Sequence, residues 1–384
     1  MRLENFLHDK PLYYDTIDYT RMPRVYEKIK SHFAKTKIIH LIGTNGKGTT
    51  GRFLAWALYS LGYRVGHYTS PHILRFNERI WLGGENISDL SLEKAHEKLQ
   101  NILSHQDSDA LSYFEYTTLL AMIVYEGCDY VVMEAGLGGE HDATAVFDKI
   151  LTLVTPIGMD HEAFLGNTIQ DIARTKLNAL QKSAILAKQP FPEVYTVARE
   201  IAQTKSVKIY RVEDLMQQND IEKIAVIAHN LSLPLYLREN LMLSIGALKY
   251  LNIEYQESDF KNSRLFGRLS QIAENIWIDV GHNPLAAQAI LESLLGEHYI
   301  LVYNSYKDKN YKEILGILKP IIGHVEIIAV DEKRIESKEN IQKTLEELQI
   351  RHSTFESINP HAKYLVFGSF SVVEKFLKYS YLTN

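Results

Sequence analysis

The segment that most constrains this chain is Ile38-Ile39-His40-Leu41-Ile42 running into Gly43-Thr44-Asn45-Gly46-Lys47-Gly48-Thr49-Thr50. A short apolar run enters a glycine-rich turn that carries one lysine and a pair of hydroxyls. Gly51-Arg52-Phe53-Leu54-Ala55-Trp56-Ala57-Leu58 follows and reads as a helix. Strand, glycine turn and helix N-terminus together make an anion site, because backbone N–H groups point into the turn and the helix dipole adds positive potential. Glycines let the backbone close around phosphate, and Lys47 adds a point charge for the outer phosphates. The spacing departs from the usual P-loop, which has four residues between its glycines and a Ser or Thr directly after the lysine. Here only Thr44 and Asn45 separate Gly43 from Gly46, and Gly48 follows Lys47. A plain glycine-rich βα turn is the alternative. The strand before the turn and the helix after it favour a nucleoside triphosphate.

Composition narrows the class. At 384 residues the chain holds two or three domains of about 150 residues each. Hydrophobic content of 46% and charged content of 23% are those of a globular protein able to bury a full core. A net charge of −5 argues against an extended nucleic-acid surface, so any anionic ligand is held by local positive groups. Cys128 is the only cysteine, which excludes an intramolecular disulfide and a cysteine-only metal site. The start, Met1-Arg2-Leu3-Glu4-Asn5-Phe6, lacks the apolar core of a signal peptide. No apolar run approaches the ~20 residues that span a bilayer. A cytoplasmic protein with no membrane partner is expected.

Strand-like and helix-like runs alternate. Ile38–Ile42, Tyr63–Tyr68, Tyr130–Met133 and Ile150–Val154 read as strands, and Tyr113–Tyr125 and Ile169–Leu180 as helices. Continuous apolar strands separated by helices imply a parallel sheet covered on both faces, with ligands at the carboxyl ends of its strands. A second set, Ile276–Val280, Tyr299–Tyr303, Val325–Val330 and Tyr364–Phe367, reads as a smaller α/β domain, with the boundary expected in the aperiodic stretch 259–264.

The candidate chemistry lies just after these strands. Glu134 closes one beside a glycine turn, which suits a hard cation such as Mg²⁺ or, equally, a solvated turn. His161 follows another strand, where a lone histidine is more often structural than a ligand. Lys176 sits on a helix-like run, where a lysine is normally solvated. Ser70 and Pro71 precede a dense polar stretch, His72 to Arg79, that reads as a surface loop. Arg268, Asp279, His282 and Asn283 form the corresponding polar set of the second domain, and an aspartate ending a strand can accept hydrogen bonds from a ribose.

Taken in order, these segments resemble the folylpolyglutamate synthase/dihydrofolate synthase family of the Mur ligase superfamily. The likeness runs from Thr16 to Phe370. It rests on Gly43–Thr49, Thr69-Ser70-Pro71-His72 with Arg75-Phe76-Asn77-Glu78-Arg79, Glu134–Gly139, Asp142-Ala143-Thr144, Asp160-His161 with Leu165-Gly166, and Asp279 with His282-Asn283-Pro284. It implies an α/β fold, with a P-loop-type Mur ligase central domain over residues 1–262 and a smaller Rossmann-like α/β domain over 263–384. It also implies ATP and Mg²⁺. Gly46, Lys47, Gly48 and Thr49 would grip the phosphates. Asn240, Arg268 and Asp279 would contact the nucleotide. Ser70, Glu134 and His161 would hold magnesium. Lys176 matches a lysine carried as a carbamate, and His282 would lie near the reacting phosphate or the incoming amino acid. Thr16, Ile17 and Asp18, then Ser112, Tyr113, Phe114 and Glu115, then His141, Asp142 and Ala143 match the pterin-substrate segments. The loop with Arg75 and Arg79 resembles the family's mobile substrate loop.

The family usually reads Arg-Leu-Asp-Ala-Thr-Asn where this chain has Glu140-His141-Asp142-Ala143-Thr144-Ala145, so an acid replaces a base beside the substrate segment. Thr175-Lys176-Leu177-Asn178 replaces the commoner Glu-Lys-Ala-Gly. The expected activity is ATP-dependent amide ligation. Glutamate would join dihydropteroate, or the γ-carboxylate of a folate, through an acyl phosphate, carried out by a monomer on small-molecule substrates. A ligase adding an amino acid to a cell-wall precursor shares that chemistry, and the segments around Phe114 and Asp142 favour the folate reading. A nucleotide-gated binding protein is the rival outside the enzymes, and ATPase activity that requires both pterin and glutamate excludes it.

Overall fold

Apolar runs joined by crossover helices pair in parallel, since the helices cover both faces of the sheet. The computed structural model describes residues 2–10 and 18–382 and contains two such sheets. The first is built from β1 (Lys37–Ile42), β2 (Val65–Tyr68), β3 (Ile80–Leu82), β4 (Glu85–Asn86), β5 (Tyr130–Glu134), β6 (Lys149–Val154), β7 (Ser183–Leu186) and β8 (Lys208–Arg211), in the order β4-β3-β2-β5-β1-β6-β7-β8. Among the described residues its antiparallel pairs are β2 with β3 and β3 with β4. The second contains β9 (Ser270–Ala273), β10 (Ile276–Ile278), β11 (Tyr299–Tyr303), β12 (Ile322–Ile327), β13 (His352–Thr354) and β14 (Tyr364–Phe367), in the order β13-β12-β11-β14-β10-β9.

The chain forms two units. One comprises Met1–Gly158, Leu165–Leu233 and Leu237–Arg264, and the other comprises Met159–Phe164, Pro234–Tyr236 and Leu265–Asn384. The short segment Met159–Phe164 therefore places Asp160 and His161 with the second unit. Thr16 and Ile17, both expected to touch substrate, lie outside the described residues. Among those residues no helix is long and apolar enough to cross a membrane.

Register explains why the site residues gather. β1 lies between β5 and β6, with Leu41 opposite Glu134 and Ile42 opposite Val154. β2 lies on the other side of β5, with Tyr68 opposite Met133. The next residues, Gly43, Thr69 and Thr155, leave the sheet together with Glu134 along its carboxyl edge. Behind them the helix Tyr113–Val124 packs Tyr116, Leu119 and Leu120 into a core with Val131 and Met133 of β5. Each such fully buried apolar side chain contributes roughly 1.5–3 kcal/mol over exposure. The second unit has its own core, with Leu301, Val325 and Phe367 from the sheet and Ile314, Leu318 and Ile341 from the helices.

Several expectations shift. The strand expected over Val325–Val330 runs instead over Ile322–Ile327, because pairing with β11 sets Tyr299 opposite Ile322 and Tyr303 opposite Ile327. The helix expected to reach Leu180 ends at Leu177, with Asn178 as its cap. The stretch around Phe76, expected as a surface loop, is a 3-10 turn, Phe76–Arg79. The Glu78 carboxylate builds it by accepting the N–H groups of Ile73, Leu74 and Arg75 at 2.7–2.9 Å. Arg75 and Asn77 both bond Asp89 as well, so this segment is anchored at both ends.

Two glycines make opposite predictions. A Cβ on Gly66 of β2 would sit 2.3 Å from the ring of the fully buried Tyr125. Gly66→Ala is expected to cost about 1–3 kcal/mol, as overpacking does. Gly316 lies on the exposed side of the helix Tyr311–Leu318, and a Cβ there would meet nothing within 4 Å. Gly316→Ala is expected to gain about 0.5–1 kcal/mol. Urea unfolding of both variants checks the pair.

Candidate active site

The phosphate loop is braced from beneath. Thr44 N–H donates to Pro156 O at 2.9 Å, and the Thr44 hydroxyl exchanges hydrogen bonds with Gly158 O and N at 3.1 and 3.0 Å. A Cβ on Gly43 (φ +139°) would lie 2.1 Å from Thr155 Oγ1, so only glycine permits this approach. Gly46 (φ +89°) opens the helix Lys47–Ser60, and its missing Cβ makes room for Asn240 Oδ1 at 2.4 Å. Asn240 is buried on the helix Leu235–Tyr250, one turn before Ser244, whose hydroxyl donates to Thr50 O at 2.8 Å. The residues expected to grip phosphate, Gly46, Lys47, Gly48 and Thr49, thus form one pinned loop.

This loop fits a triphosphate. Thr49 Oγ1 is buried on the first turn of a 14-residue helix and has no hydrogen-bond partner among the described residues. A buried hydroxyl left unpaired costs about 1–3 kcal/mol, and an anion at the helix N-terminus would satisfy it. Lys47 Nζ folds back on Gly43 O and Thr44 O at 3.3 and 3.2 Å and lies 3.8 Å from Glu134 Oε1.

Glu134 is the anionic centre of the first unit's strand edge. The Thr69 hydroxyl and, at 3.3 Å, the Ser70 N–H both donate to its Oε2. Glu134 and Ser70 therefore meet, and Thr69, part of the same sequence motif though not expected as a ligand, joins them. A carboxylate with hydroxyl groups is a hard-oxygen donor set that suits Mg²⁺. Among the described residues no group of three or more His, Cys, Asp or Glu is gathered as a metal site. Lys176, expected on the solvated face of its helix, is buried at 4% exposure and donates to Gly43 O at 3.0 Å. Tertiary packing overrides the surface reading and brings Lys176 to the same carbonyl as Lys47.

The pterin segments divide into inward-facing and open residues. Ser112 and Glu115 cap their helix reciprocally, with Glu115 N to Ser112 Oγ at 3.2 Å and Ser112 N to Glu115 Oε2 at 2.7 Å. Arg21 also pairs with Glu115 at 2.7 Å. Tyr113 and Phe114 are half-buried, and the Phe114 ring lies where a Cβ on Gly136 would be, at 2.6 Å. Asp142 is buried and accepts the N–H groups of Gly136, Leu137 and Thr144, each at 2.9 Å, together with the Thr144 hydroxyl. Burial nevertheless pushes its carboxyl above the usual range, with those bonds opposing. Ala143 follows in the turn that Asp142 caps. His141 is exposed and stacks on Tyr19, ring centroids 4.6 Å apart. Asp18 is exposed and caps Thr20 at 2.9 Å.

In the second unit Asp279 follows β10. Its carboxylate accepts from Leu269 N and Gly281 N, both at 2.7 Å, and from the Tyr236 hydroxyl at 3.0 Å. Burial raises its carboxyl, against the Arg268 charge and these bonds. The Arg268 guanidinium stacks on Phe370 at 5.3 Å. His282 has Nδ1 at 3.1 Å from Val280 O and Nε2 at 3.7 Å from Asp160. Burial lowers its pKa, and Asp160 works the other way. His161, at φ +53°, donates its N–H to Asp160 Oδ1 at 2.9 Å.

Asp160 and Lys309 form a buried ion pair at 2.5 Å, and Asn283 donates to the same carboxylate at 3.2 Å. Burial alone would raise the Asp160 carboxyl, but His161, His282 and Lys309 together hold it well below the carboxylate range. Lys309 is not legible in the sequence. It lies in the polar run Asn304–Asn310 after β11, and its one local marker is that position past a strand end. Replacing Lys309 by Met strands a buried carboxylate, and a loss of about 3–5 kcal/mol is expected at pH 7 by urea unfolding. The folded carboxyl has the lower pKa, so this contribution is complete above the unfolded value near 4 and drains as pH falls below it. The difference between wild type and Lys309→Met is therefore expected to narrow towards pH 3.

No family model matches the chain. Dihydrofolate synthase/folylpolyglutamate synthase of Escherichia coli is 33% identical over 306 residues, covering 74% of this chain and 71% of the relative. Among solved structures, folylpolyglutamate synthetase of Helicobacter pylori superposes with a TM-score of 0.79 at 37% identity, covering 100% of this chain and 98% of that one. Bifunctional folylpolyglutamate synthase/dihydrofolate synthase of Yersinia pestis, complexed with AMPPNP and a manganese ion, has a TM-score of 0.81 at 23% identity, covering 98% and 97%. That last likeness shows the fold.

Proposed function

The chain belongs to the dihydrofolate synthase/folylpolyglutamate synthase family, and we propose that it is an ATP-dependent ligase joining L-glutamate to dihydropteroate and to the γ-carboxylate of folates. The observation that carries this reading is the phosphate loop with its unpaired Thr49 hydroxyl, set against Lys47 and the Glu134 carboxylate on one strand edge. Gly46, Lys47, Gly48 and Thr49 hold the ATP phosphates, and Asn240 borders them. Ser70 and Glu134 are the first unit's candidate ligands for magnesium, and His161 is the second unit's. Bound Mg²⁺ supplies charge neutralisation on the triphosphate. Arg268 and Asp279 are assigned to the nucleotide, and His282 to the reacting phosphate or the incoming amino acid.

The reaction is in-line transfer followed by acyl substitution. An acceptor carboxylate oxygen attacks the γ-phosphorus, the bond to the ADP oxygen breaks, and an acyl phosphate forms. Lys47 stabilises the charge spreading over the transferring oxygens. The neutral amine of glutamate then attacks the acyl carbon. Phosphate leaves, the amine loses a proton, and an amide remains. The half-buried Tyr113 and Phe114 offer the acceptor's flat ring an apolar surface. Ser112, Glu115 and Asp142 spend their polar atoms on shaping that surface, so they act through its geometry. Ala143 closes it. Thr16, Ile17, Asp18 and the exposed His141 are assigned to the acceptor by their sequence likeness alone. The reading carries a cytoplasmic monomer that acts on small molecules and binds neither nucleic acid nor membrane.

Phosphate release from MgATP with glutamate, comparing dihydropteroate with tetrahydrofolate, tests the function. Release with both acceptors is expected, and silence with both in protein that binds ATP overturns the reading in favour of a cell-wall precursor ligase. Lys47→Ala is expected to lower kcat by about 100-fold or more, the scale of losing one transition-state charge contact.

Lys176 is carried as a carbamate in the proposed active form. Activity is therefore expected to fall in carbon-dioxide-depleted buffer and to return with bicarbonate. Unchanged activity there, with an unmodified Lys176 by mass spectrometry, removes the carbamate.

A further inference from the structure

A buried hydrogen-bond chain runs from His40 in β1 to the turn that carries Asp142. His40 is fully buried, three residues before Gly43. By strand alternation it shares a face of β1 with Ile38, which packs in one core with Ala143 and Phe147. Its Nε2 lies 2.7 Å from Oγ1 of the equally buried Thr144. The Thr144 hydroxyl donates to Asp142 Oδ1, which also accepts the Thr144 N–H. Asp142 Oδ2 accepts the N–H groups of Gly136 and Leu137. The chain thus joins the strand that leads into the phosphate loop to the turn that the Phe114 ring packs against.

The protons along this chain can be placed by counting. Asp142 receives four donors, from Gly136, Leu137 and Thr144 N–H and the Thr144 hydroxyl, so its carboxylate acts only as an acceptor. The hydroxyl has one proton and gives it to Asp142, so towards His40 it accepts. His40 therefore carries its proton on Nε2. Its Nδ1 is a bare lone pair, buried and without a partner among the described residues. Burial, and after it the Lys149 charge, holds the pKa of His40 well below the usual imidazole value, so the ring stays neutral. Lys149 itself ties the far end of the same turn, with Nζ donating to Ala145 O at 2.9 Å.

A buried acceptor left unpaired costs about 1–3 kcal/mol. An aliphatic side chain in this apolar setting would avoid that cost. What the imidazole supplies instead is one N–H, directed at Thr144. His67 is a second fully buried histidine with an unpartnered Nε2, but its Nδ1 accepts from Arg52, whose guanidinium lies on Trp81. Its chain therefore ends away from the acceptor segments.

We propose that His40 is a positioning residue for the acceptor. Its N–H occupies one side of the Thr144 oxygen, which leaves the hydroxyl proton directed at Asp142. Asp142 then holds Gly136 and Leu137, and Gly136 meets the Phe114 ring. Without the His40 N–H the hydroxyl can rotate, and the carboxylate loses one of its donors. The phosphate loop keeps its own braces through Thr44, so the effect falls on the acceptor and spares the nucleotide. This rests on the acceptor lying against Phe114, as proposed above.

Calorimetric binding of pteroate and, separately, of ADP tests the proposal in wild type, His40→Leu, His40→Gln, Thr144→Val and the double variant His40→Leu/Thr144→Val. His40→Leu is expected to weaken pteroate about 3- to 10-fold, the scale of one hydrogen bond, with ADP affinity unchanged. His40→Gln, whose amide N–H stands in for Nε2–H, is expected to bind pteroate as wild type does. Thr144→Val is expected to match His40→Leu, and the double variant to be no weaker than either, since all three break one chain. A merely structural role would weaken pteroate and ADP together, and glutamine would not rescue it. That pattern, an unchanged pteroate affinity in His40→Leu, or additive losses in the double variant each overturns the proposal alone. If His40→Leu does not fold, the split between pteroate and ADP in Thr144→Val decides. Wild type that binds ADP but not pteroate overturns the folate reading and this proposal with it.

Discussion

Everything in the first unit's site depends on how closely Gly43 passes Thr155. The bare α-carbon lets β1 leave the sheet against the exit of β6, where a side chain would meet Thr155 Oγ1 at 2.1 Å. That contact lets Thr44 bond both Pro156 and Gly158, which fixes the direction of the helix Lys47–Ser60. It also leaves the Gly43 carbonyl facing Lys47 and Lys176, two amines drawn to one oxygen. The parallel register of β1 with β5 and β6 then brings the Glu134 carboxylate near the Lys47 charge. A single backbone approach thus sets where cation, anion and helix dipole meet.

Buried charge in this molecule falls into three kinds. Some charges are closed structural pairs, such as Lys249 with Asp220 and Lys309 with Asp160, whose worth lies in not being broken. Some carboxylates serve as backbone anchors: Glu78 gathers three N–H groups and Asp142 gathers three more. A third kind rests on backbone carbonyls, as Lys149 does on Ala145 O and Lys176 on Gly43 O. The Thr49 hydroxyl, buried without a partner among the described residues on the first turn of its helix, is what a phosphate-binding site requires.

Much of this is legible in the chain before folding is considered. The βα character of residues 38–58 follows from an apolar run ending in glycine and lysine, and the parallel sheet follows from strands too continuously apolar to face water. Glu134, Ser70 and Asp279 can be found because each directly follows a strand-like run. Lys176 cannot, because helical spacing alone does not say that its side chain reaches Gly43, 133 positions away in the chain. The anchored turn at Phe76–Arg79 reads as a loop, since the Glu78 nest depends on three backbone N–H groups turning inward together. Thr69 and Arg79 fall in motifs that the sequence marks without showing their contacts, and Lys309 carries no local marker strong enough to select it.

The amino-acid sequence by itself determined the fold class, the phosphate loop and the family, because periodicity, glycine placement and motif order are local or simply ordered along the chain. Only the tertiary structure decided which polar atoms are spent and which remain available. Ser112, Glu115 and Asp142 fall in substrate-like motifs, yet their oxygens are consumed by nearby backbone and side-chain donors. Arg79 lies in a stretch that reads as solvated surface, yet it is buried against Tyr113 and Phe76. The reason is physical: whether a polar group is satisfied depends on partners brought close by packing, and separation along the chain does not encode that distance.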